Sequence, residues 1–337
     1  MASSHIRRVF TLALLVLAVC GTTAFAQLPS ARLLSVYPPG GARGSTVEVE
    51  VHGDDLEPAD GLLFSHSGIR ATHVIDETNP FLRDRAIPNR FRVEIAPDVP
   101  TGRYDVRVAG RFGVSNPRTF VVSNVAESVE SEPNDAREQA TALAVGSIAN
   151  GRSNARADLD WWRIEGRPSE RVFIRCESRD LDSRMEAILT YFDAEGREIA
   201  RARETAARPA ELDVVLSGEG HGYVRVNDAV YDGSGHHVYR LVVTAGPVID
   251  AVLPPAIVAG REARVTILGR GLEGGTPAES LRLGEHPLEK LEVTIAAPAS
   301  APGGEPPGPR GFDRPEQLRL RAFPWWLEAS EGAFSEP

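Results

Sequence analysis

Apolar and polar residues alternate with a period of two along most of the chain. Val47, Val49 and Val51 are interleaved with Glu48, Glu50 and His52. Such a segment has one apolar face and one wet face, the pattern of a half-buried β-strand. Phe91-Arg92-Val93-Glu94-Ile95 and Tyr104-Asp105-Val106-Arg107-Val108 repeat it, as do Val172/Ile174/Cys176, Leu212/Val214/Leu216 and Tyr239/Leu241/Val243. These runs are short and bounded by Gly, Pro, Asn and Asp, which predicts sandwiches of short strands rather than strand-helix-strand units. One helical segment is predicted, from Asp135 to Leu143.

The N-terminus breaks the pattern. Arg7 and Arg8 precede an apolar run from Val9 to Val19, and Ala24-Phe25-Ala26 follows as a small-x-small site before Gln27. Residues 1–26 therefore read as a secretory signal peptide, too short in its apolar run to span a bilayer. Val19 stands where a lipid-attachment signal prefers a small residue, so Cys20 reads as part of the removed segment. No later run is long and apolar enough for a membrane helix, so no membrane span is expected after cleavage. The expected location is outside the cytoplasm: periplasmic, cell-surface or extracellular.

An internal repeat organises the rest. Leu34-Ser35-Val36-Tyr37-Pro38-Pro39 aligns with Asp250-Ala251-Val252-Leu253-Pro254-Pro255, and the register continues without a gap. Gly44 falls on Gly260, Val49 on Val265, Val51 on Ile267, Gly53 on Gly269 and Leu56 on Leu272, each 216 residues apart. Two copies of one module thus flank a third segment. The shared pattern of opening strand, Pro-Pro bend, Gly turn and alternating strand resembles the start of IPT/TIG immunoglobulin-like domains. That resemblance implies spacer or binding modules and no catalytic residues. The first copy closes through Ser115-Asn116-Pro117 and a strand from Thr119 to Ser123. The second reaches Ser335-Glu336-Pro337, so it is expected to be incomplete and the chain to be the N-terminal part of a longer protein. Ala296 to Pro315, rich in Pro, Gly and Ala, is expected to be an extended loop.

Between the copies come Glu130-Ser131-Glu132-Pro133-Asn134-Asp135, then Asp158-Leu159-Asp160-Trp161-Trp162, Leu181-Asp182, Tyr191-Phe192-Asp193, Gly222-Tyr223-Val224-Arg225-Val226 and Tyr239-Arg240-Leu241. This order of landmarks resembles the bacterial pre-peptidase C-terminal domain, a small β-sandwich of exported proteins. Trp162 departs from the Phe or Tyr common there. In the collagen-binding relatives of that family, an acidic segment and an Asp-x-Asp supply calcium ligands. Carried over by position, the resemblance implies a structural Ca²⁺ held by Glu130, Glu132, Asn134, Asp135, Asp158 and Asp160. From spacing alone, the same residues read as an acidic solvated linker and a turn, and only the resemblance sets the calcium reading beside it. The domain reading is 27–124 immunoglobulin-like, 125–246 pre-peptidase C-terminal-like and 247–337 a second immunoglobulin-like module; the fold class is all-β, in tandem sandwiches.

Charge narrows the functions. The net charge is −10, and removing residues 1–26, with two basic residues and no acid, makes it −12. Nucleic acid is an unfavourable partner for such a chain. Among 37 basic residues only Lys290 is lysine, which reads as a coding bias. Cys176 is the sole cysteine left, so no internal disulfide is available, and in a strand-like run it reads as a small buried hydrophobe. His236-His237 reads as either a metal-binding pair or part of a Gly-rich hairpin loop. Trp161 and Trp162 point to opposite faces of one strand; Trp325-Trp326 reads as core or as a ligand platform. No nucleophile elbow, zinc-protease motif or phosphate loop occurs. The sequence thus predicts an exported, non-catalytic binding, adhesion or spacer protein, with an envelope polysaccharide or protein as partner. The alternative is the accessory N-terminal part of an exported hydrolase whose catalytic domain lies beyond Pro337.

Overall fold

The computed structural model describes residues 29–76, 85–206, 208–255, 257, 260–283 and 286–296. The signal-like segment, the Pro/Gly/Ala-rich stretch beyond Ala296, Trp325-Trp326 and the Ser335-Glu336-Pro337 end lie outside them. The described residues are all β, with the first two modules packed as two-sheet sandwiches and the third described as one sheet.

The first nine strands are β1 (Arg32–Tyr37), β2 (Gly40–Ala42), β3 (Thr46–Asp54), β4 (Ala59–Phe64), β5 (Ile69–Ile75), β6 (Ala86–Ile95), β7 (Gly102–Gly110), β8 (Gly113–Val114) and β9 (Arg118–Ser123). They form two sheets, β1-β3-β6-β5 and β2-β9-β7-β4, with β8 paired to β7. The alternating residues do what their period dictates: Val49, Val51, Phe91, Val93, Val106 and Val108 are fully buried between the sheets, joined by Leu33 and Phe120.

The next ten are β10 (Glu127–Val129), β11 (Thr141–Ala144), β12 (Ser147–Arg152), β13 (Asp160–Glu165), β14 (Arg171–Glu177), β15 (Ala187–Phe192), β16 (Glu198–Arg203), β17 (Ala210–Val215), β18 (His221–Asp228) and β19 (Val238–Thr244). One sheet runs β10-β12-β19-β14-β17 and the other β11-β13-β18-β15-β16. Their shared core holds Trp162, Ile164, Ile174, Cys176, Leu189, Tyr191, Val224, Tyr239 and Leu241. Trp162 and Tyr239 close it with a buried hydrogen bond, Nε1 donating to the Tyr239 hydroxyl at 2.9 Å. Burial pushes the Cys176 thiol well up, so it is an inert core group. The helix expected over Asp135–Leu143 does not form. A single 3-10 turn covers Arg137–Gln139, and from Thr141 the chain becomes β11, because Leu143 is buried in the core and the strand pairs parallel with β13. Tertiary burial here overrides a weak local preference.

Four strands follow: β20 (Val248–Leu253), β21 (Glu262–Arg270), β22 (Thr276–Leu283) and β23 (His286–Ala296), in the order β20-β21-β23-β22. The 216-residue repeat is kept in the backbone. Arg32 pairs with Asp54 and Val248 with Arg270, and the same irregularity follows Leu33 in one copy and Ile249 in the other. Gly53 and Gly269 mark the close approach: a Cβ added to either would lie 2.0 Å from the Arg32 carbonyl oxygen or 2.1 Å from that of Val248. Only glycine lets the strand pass there.

Gly53→Ala should therefore destabilise the protein by about 1–3 kcal/mol. Gly61→Ala, which meets nothing within 4 Å, should stay within about 0.5 kcal/mol. Urea melts of the two variants check this; equal effects would refute the close-packing account.

Candidate functional site

The acidic segment enters the central sandwich through β10, and its carboxylates meet different surroundings. Glu127, at the start of β10, accepts from Asn150 Nδ2 at 2.9 Å and pairs with the wholly buried guanidinium of Arg240 at 2.5 Å, which also reaches Glu177 at 3.4 Å. Glu130, just past the strand, has no such partner. Its Oε1 accepts from the Tyr37 hydroxyl at 2.9 Å and the Arg152 backbone N–H at 2.8 Å; its Oε2 is buried and unpaired.

Three of the six sequence-predicted ligands converge. Glu130, Glu132 and Asp160 each bring a carboxylate oxygen within 4.8 Å of the others. Asp160 opens β13 with its side chain turned inward, 1% exposed, and neither oxygen has a well-formed hydrogen bond among the described residues, the Tyr239 hydroxyl only partly offsetting its burial. Asn134 is fully buried with both amide atoms unpaired. It is held in place by its backbone, whose N–H donates to Glu132 Oε2 at 3.0 Å and whose carbonyl accepts from Trp161 N at 3.1 Å. Glu132 Oε1 also accepts from Asn154 Nδ2 at 3.1 Å.

Asp158 and Asp135 stand outside the close triad. Asp158 Oδ2 accepts from the Asn154 backbone N–H at 2.5 Å, and Asp135 is exposed. Both still bear on the cluster electrostatically. Partial burial raises the Asp158 pKa, and repulsion from Glu132 and Asp135 adds to the rise. Desolvation, then repulsion from Glu130 and Asp158, raises Asp160 well above the carboxylate range. Glu130 is pushed up to about 8, chiefly by desolvation, with Glu132 repelling it and the Tyr37 hydroxyl pulling the other way.

The site also contains residues not expected from sequence. Tyr37 comes from the first sandwich, and Arg152 and Asn154 come from β12 and the loop after it. The Arg152 guanidinium lies over the Tyr37 ring at 4.5 Å and reaches Glu50 at 3.5 Å and His52 Nε2 at 3.0 Å. It is thereby committed to the junction, leaving only its backbone N–H for Glu130. The internal repeat carried a signal for Tyr37: the aligned residue in the second copy is Leu253, which has no hydroxyl.

The ligand chemistry is that of a hard cation. The converging atoms are carboxylate oxygens, without sulfur or imidazole, the set preferred by Ca²⁺ rather than by transition metals. Four oxygens, Glu130 Oε2, both of Asp160 and Asn134 Oδ1, are buried and orphaned. Buried charges without partners are costly, and a divalent cation would remove that cost.

No family model and no curated protein sequence matches this chain. Its likenesses are to solved β-sandwich structures. The pre-peptidase C-terminal domain of a collagenase from Bacillus anthracis matches 34% of the chain and 100% of its own length, at 12% identity and a TM-score of 0.27. SGBP-B of the Bacteroides ovatus mixed-linkage glucan utilization locus, in complex with a mixed-linkage heptasaccharide, covers 65% of the chain and 76% of itself, at 10% identity and a TM-score of 0.22. Carbohydrate-binding modules of the β-sandwich superfamily cover 65% of the chain and 97% of themselves, at 12% identity and a TM-score of 0.17. At these values they are likenesses of fold alone.

The remaining expected chemistry is placed as follows. His237 is 5% exposed, with Nδ1 at 2.8 Å from Ser234 Oγ. His236 faces His52 of the first sandwich edge-on at 6.1 Å between ring centroids. The solvated-loop alternative is thus corrected: these histidines pack at a junction, because Ser35 Oγ of β1 donates to the Gly235 carbonyl at 2.6 Å and draws the loop inward. Among the described residues neither joins a group of three potential metal ligands. Trp162 is core and Trp161 lies on the outer face. Among the described residues no helix is long and apolar enough to cross a membrane.

The Glu130 shift has a testable sign. Between pH 4.5 and about 8, the ordinary and raised values, the folded ion-free protein holds a proton that the unfolded chain releases. Stability therefore falls as pH rises through that window. Calcium-stripped protein should melt lower at pH 8 than at pH 5, and Glu130→Gln should flatten the slope in differential scanning calorimetry. A parental melt independent of pH there would contradict the assignment.

Proposed function

We propose that the chain is a non-catalytic binding or accessory assembly of β-sandwiches acting outside the cytoplasm, with a structural Ca²⁺ in the central sandwich. The division at residues 124/125 and 246/247 belongs to the same proposal. The observation that carries the calcium reading is the meeting of Glu130, Glu132 and Asp160 within 4.8 Å, beside a fully buried Asn134 with an unpaired amide.

Glu130, Glu132, Asp160 and the Asn134 side-chain oxygen would hold the ion, with Asp158 and Asp135 adding negative charge around it. The bound ion would neutralise desolvated carboxylates and fix the acidic segment to the start of β13. This chain's own residues do the rest. Glu132 orders the Asn134 backbone, Asn134 receives the Trp161 N–H, and Tyr37 ties the first sandwich to Glu130. The role is structural: occupancy stiffens the join between modules. An exported address supports it, because extracellular modules of this kind use calcium at about 10⁻⁴–10⁻³ M. The buried, desolvated Cys176 thiol fits a reading without covalent chemistry.

Millimolar Ca²⁺ should raise the melting temperature of the full chain over chelator, with about 2.7 kcal/mol of stabilisation at a hundredfold excess over Kd. In chelator at pH 8 and above, Asp160→Asn and Glu130→Gln should melt higher than the parent, since each removes a desolvated carboxyl group whose ionisation burial opposes, yet gain little from Ca²⁺. If the parent's melt ignores Ca²⁺, the cation reading is wrong.

A further inference from the structure

The central sandwich has two outer faces, and their environments differ. The face of β10-β12-β19-β14-β17 is covered. From the first sandwich, Gly40 lies so near β19 that an added Cβ would sit 3.1 Å from Arg240 Nε. From β21, Arg270 pairs with Glu211 of β17 and lies 5.3 Å over the ring of Phe173 on β14. The outer face of β11-β13-β18-β15-β16 carries a cross-strand array of aromatic rings and arginines.

Strand register builds that array. Trp162, Ile164, Val224, Val226, Leu189 and Tyr191 point into the core, so their neighbours point out. One row runs Trp161, Arg225, Thr190, Arg201 across β13, β18, β15 and β16; the next runs Arg163, Tyr223, Phe192, Glu198 across the same strands. Three strand spacings make the first row about 14 Å long. Trp161 and Phe192 lie tilted at 4.9 Å, and Arg225 stands over both, 5.8 and 5.6 Å from their centroids. Arg137, from the turn after the acidic segment, lies 5.6 Å over Tyr223.

Charge sets the ligand class. Arg163 and Arg137 have acidic neighbours, Glu165 at 3.1 Å and Glu138 at 3.7 Å. Arg225 and Arg201 have no ion pair among the described residues, and the Arg225 Nε and the fully buried Thr190 hydroxyl between them have no hydrogen-bond partner. Arg225 stands unpaired among the rings, and the two rows together hold Arg225, Arg201 and Arg163 against the one carboxylate Glu198, so on a chain of net charge −10 they form a local site of opposite sign. Aromatic rings stack against the CH faces of sugars, and guanidinium groups pair bidentately with carboxylates. We propose that this face binds an acidic, carboxylate-bearing polysaccharide laid across β13, β18, β15 and β16. The proposal rests on reading the chain as a binding assembly and supplies its ligand class.

Affinity electrophoresis of the full chain, in gels containing polygalacturonate, tests it. The parent should be retarded by polygalacturonate and not by dextran, and raised salt should weaken the effect. Arg201→Gln, an exposed change, should weaken binding about fivefold, and Tyr223→Ala about tenfold, with parental melting temperatures for Arg201→Gln. The proposal fails if the parent ignores polygalacturonate at low salt, or if both variants bind like the parent. It also fails if poly-glutamate binds as tightly with the same variant losses, since the face would then read charge without sugar. A parent that responds to Ca²⁺ but not to polygalacturonate overturns this face alone. One that binds polygalacturonate without any response to Ca²⁺ upholds the face and overturns the cation site.

Discussion

The junction of this protein turns on carboxylates that leave water without gaining a cation. Glu127 and Glu130 are three residues apart in one acidic segment, yet their circumstances are opposed. Glu127 meets the buried Arg240 and an asparagine amide. Glu130 meets a hydroxyl, one backbone N–H and two other carboxylates. Desolvation penalises a charge far more than a neutral group, so the second arrangement demands either a proton or a metal ion. The raised Glu130 and Asp160 pKa values express that demand.

The same constraint explains why the first sandwich reaches into the site. Tyr37 lies beneath the Arg152 guanidinium and donates to Glu130, so one aromatic side chain touches both the acidic pocket and the inter-sandwich contact. Burial and the Glu130 charge push its hydroxyl far up, which keeps it a donor throughout the neutral range. Ser35 adds a second tie, to the loop that carries His236 and His237. Anything that changes the charge on Glu130 is therefore felt at the junction, through hydrogen bonds rather than through a long lever.

The repeat shows one backbone plan put to two uses. The slot held by the exposed Asp54 in the first copy is held by Arg270 in the second. Arg270 is 1% exposed and pairs with Asp250 at 3.1 Å and with Glu211 of the central sandwich. The Gly positions, the strand register and the irregularity after the second residue are common to both copies. Side chains pointing out of the plan differ, and those differences decide which surface of the central sandwich each copy meets.

Strand positions were legible from sequence because a pleated strand with one buried face must alternate, and Val49/Val51, Phe91/Val93 and Val224/Val226 do so. The repeat was legible because close approach at Gly53 and Gly269 tolerates no Cβ. For the site, the sequence brought forward six oxygen-bearing residues, and the fold gathers Glu130, Glu132 and Asp160, with Asn134 buried alongside. The failed helix at Asp135–Leu143 shows the limit of local reading, since parallel pairing with β13 and burial of Leu143 outweigh propensity. Only tertiary structure could add Tyr37, 93 residues away from Glu130, separate Glu127 from Glu130 by their partners, and leave one face of the central sandwich lined by arginines and aromatic rings. Periodicity is set within a few residues of chain; desolvation and charge pairing are set by whatever the fold brings near.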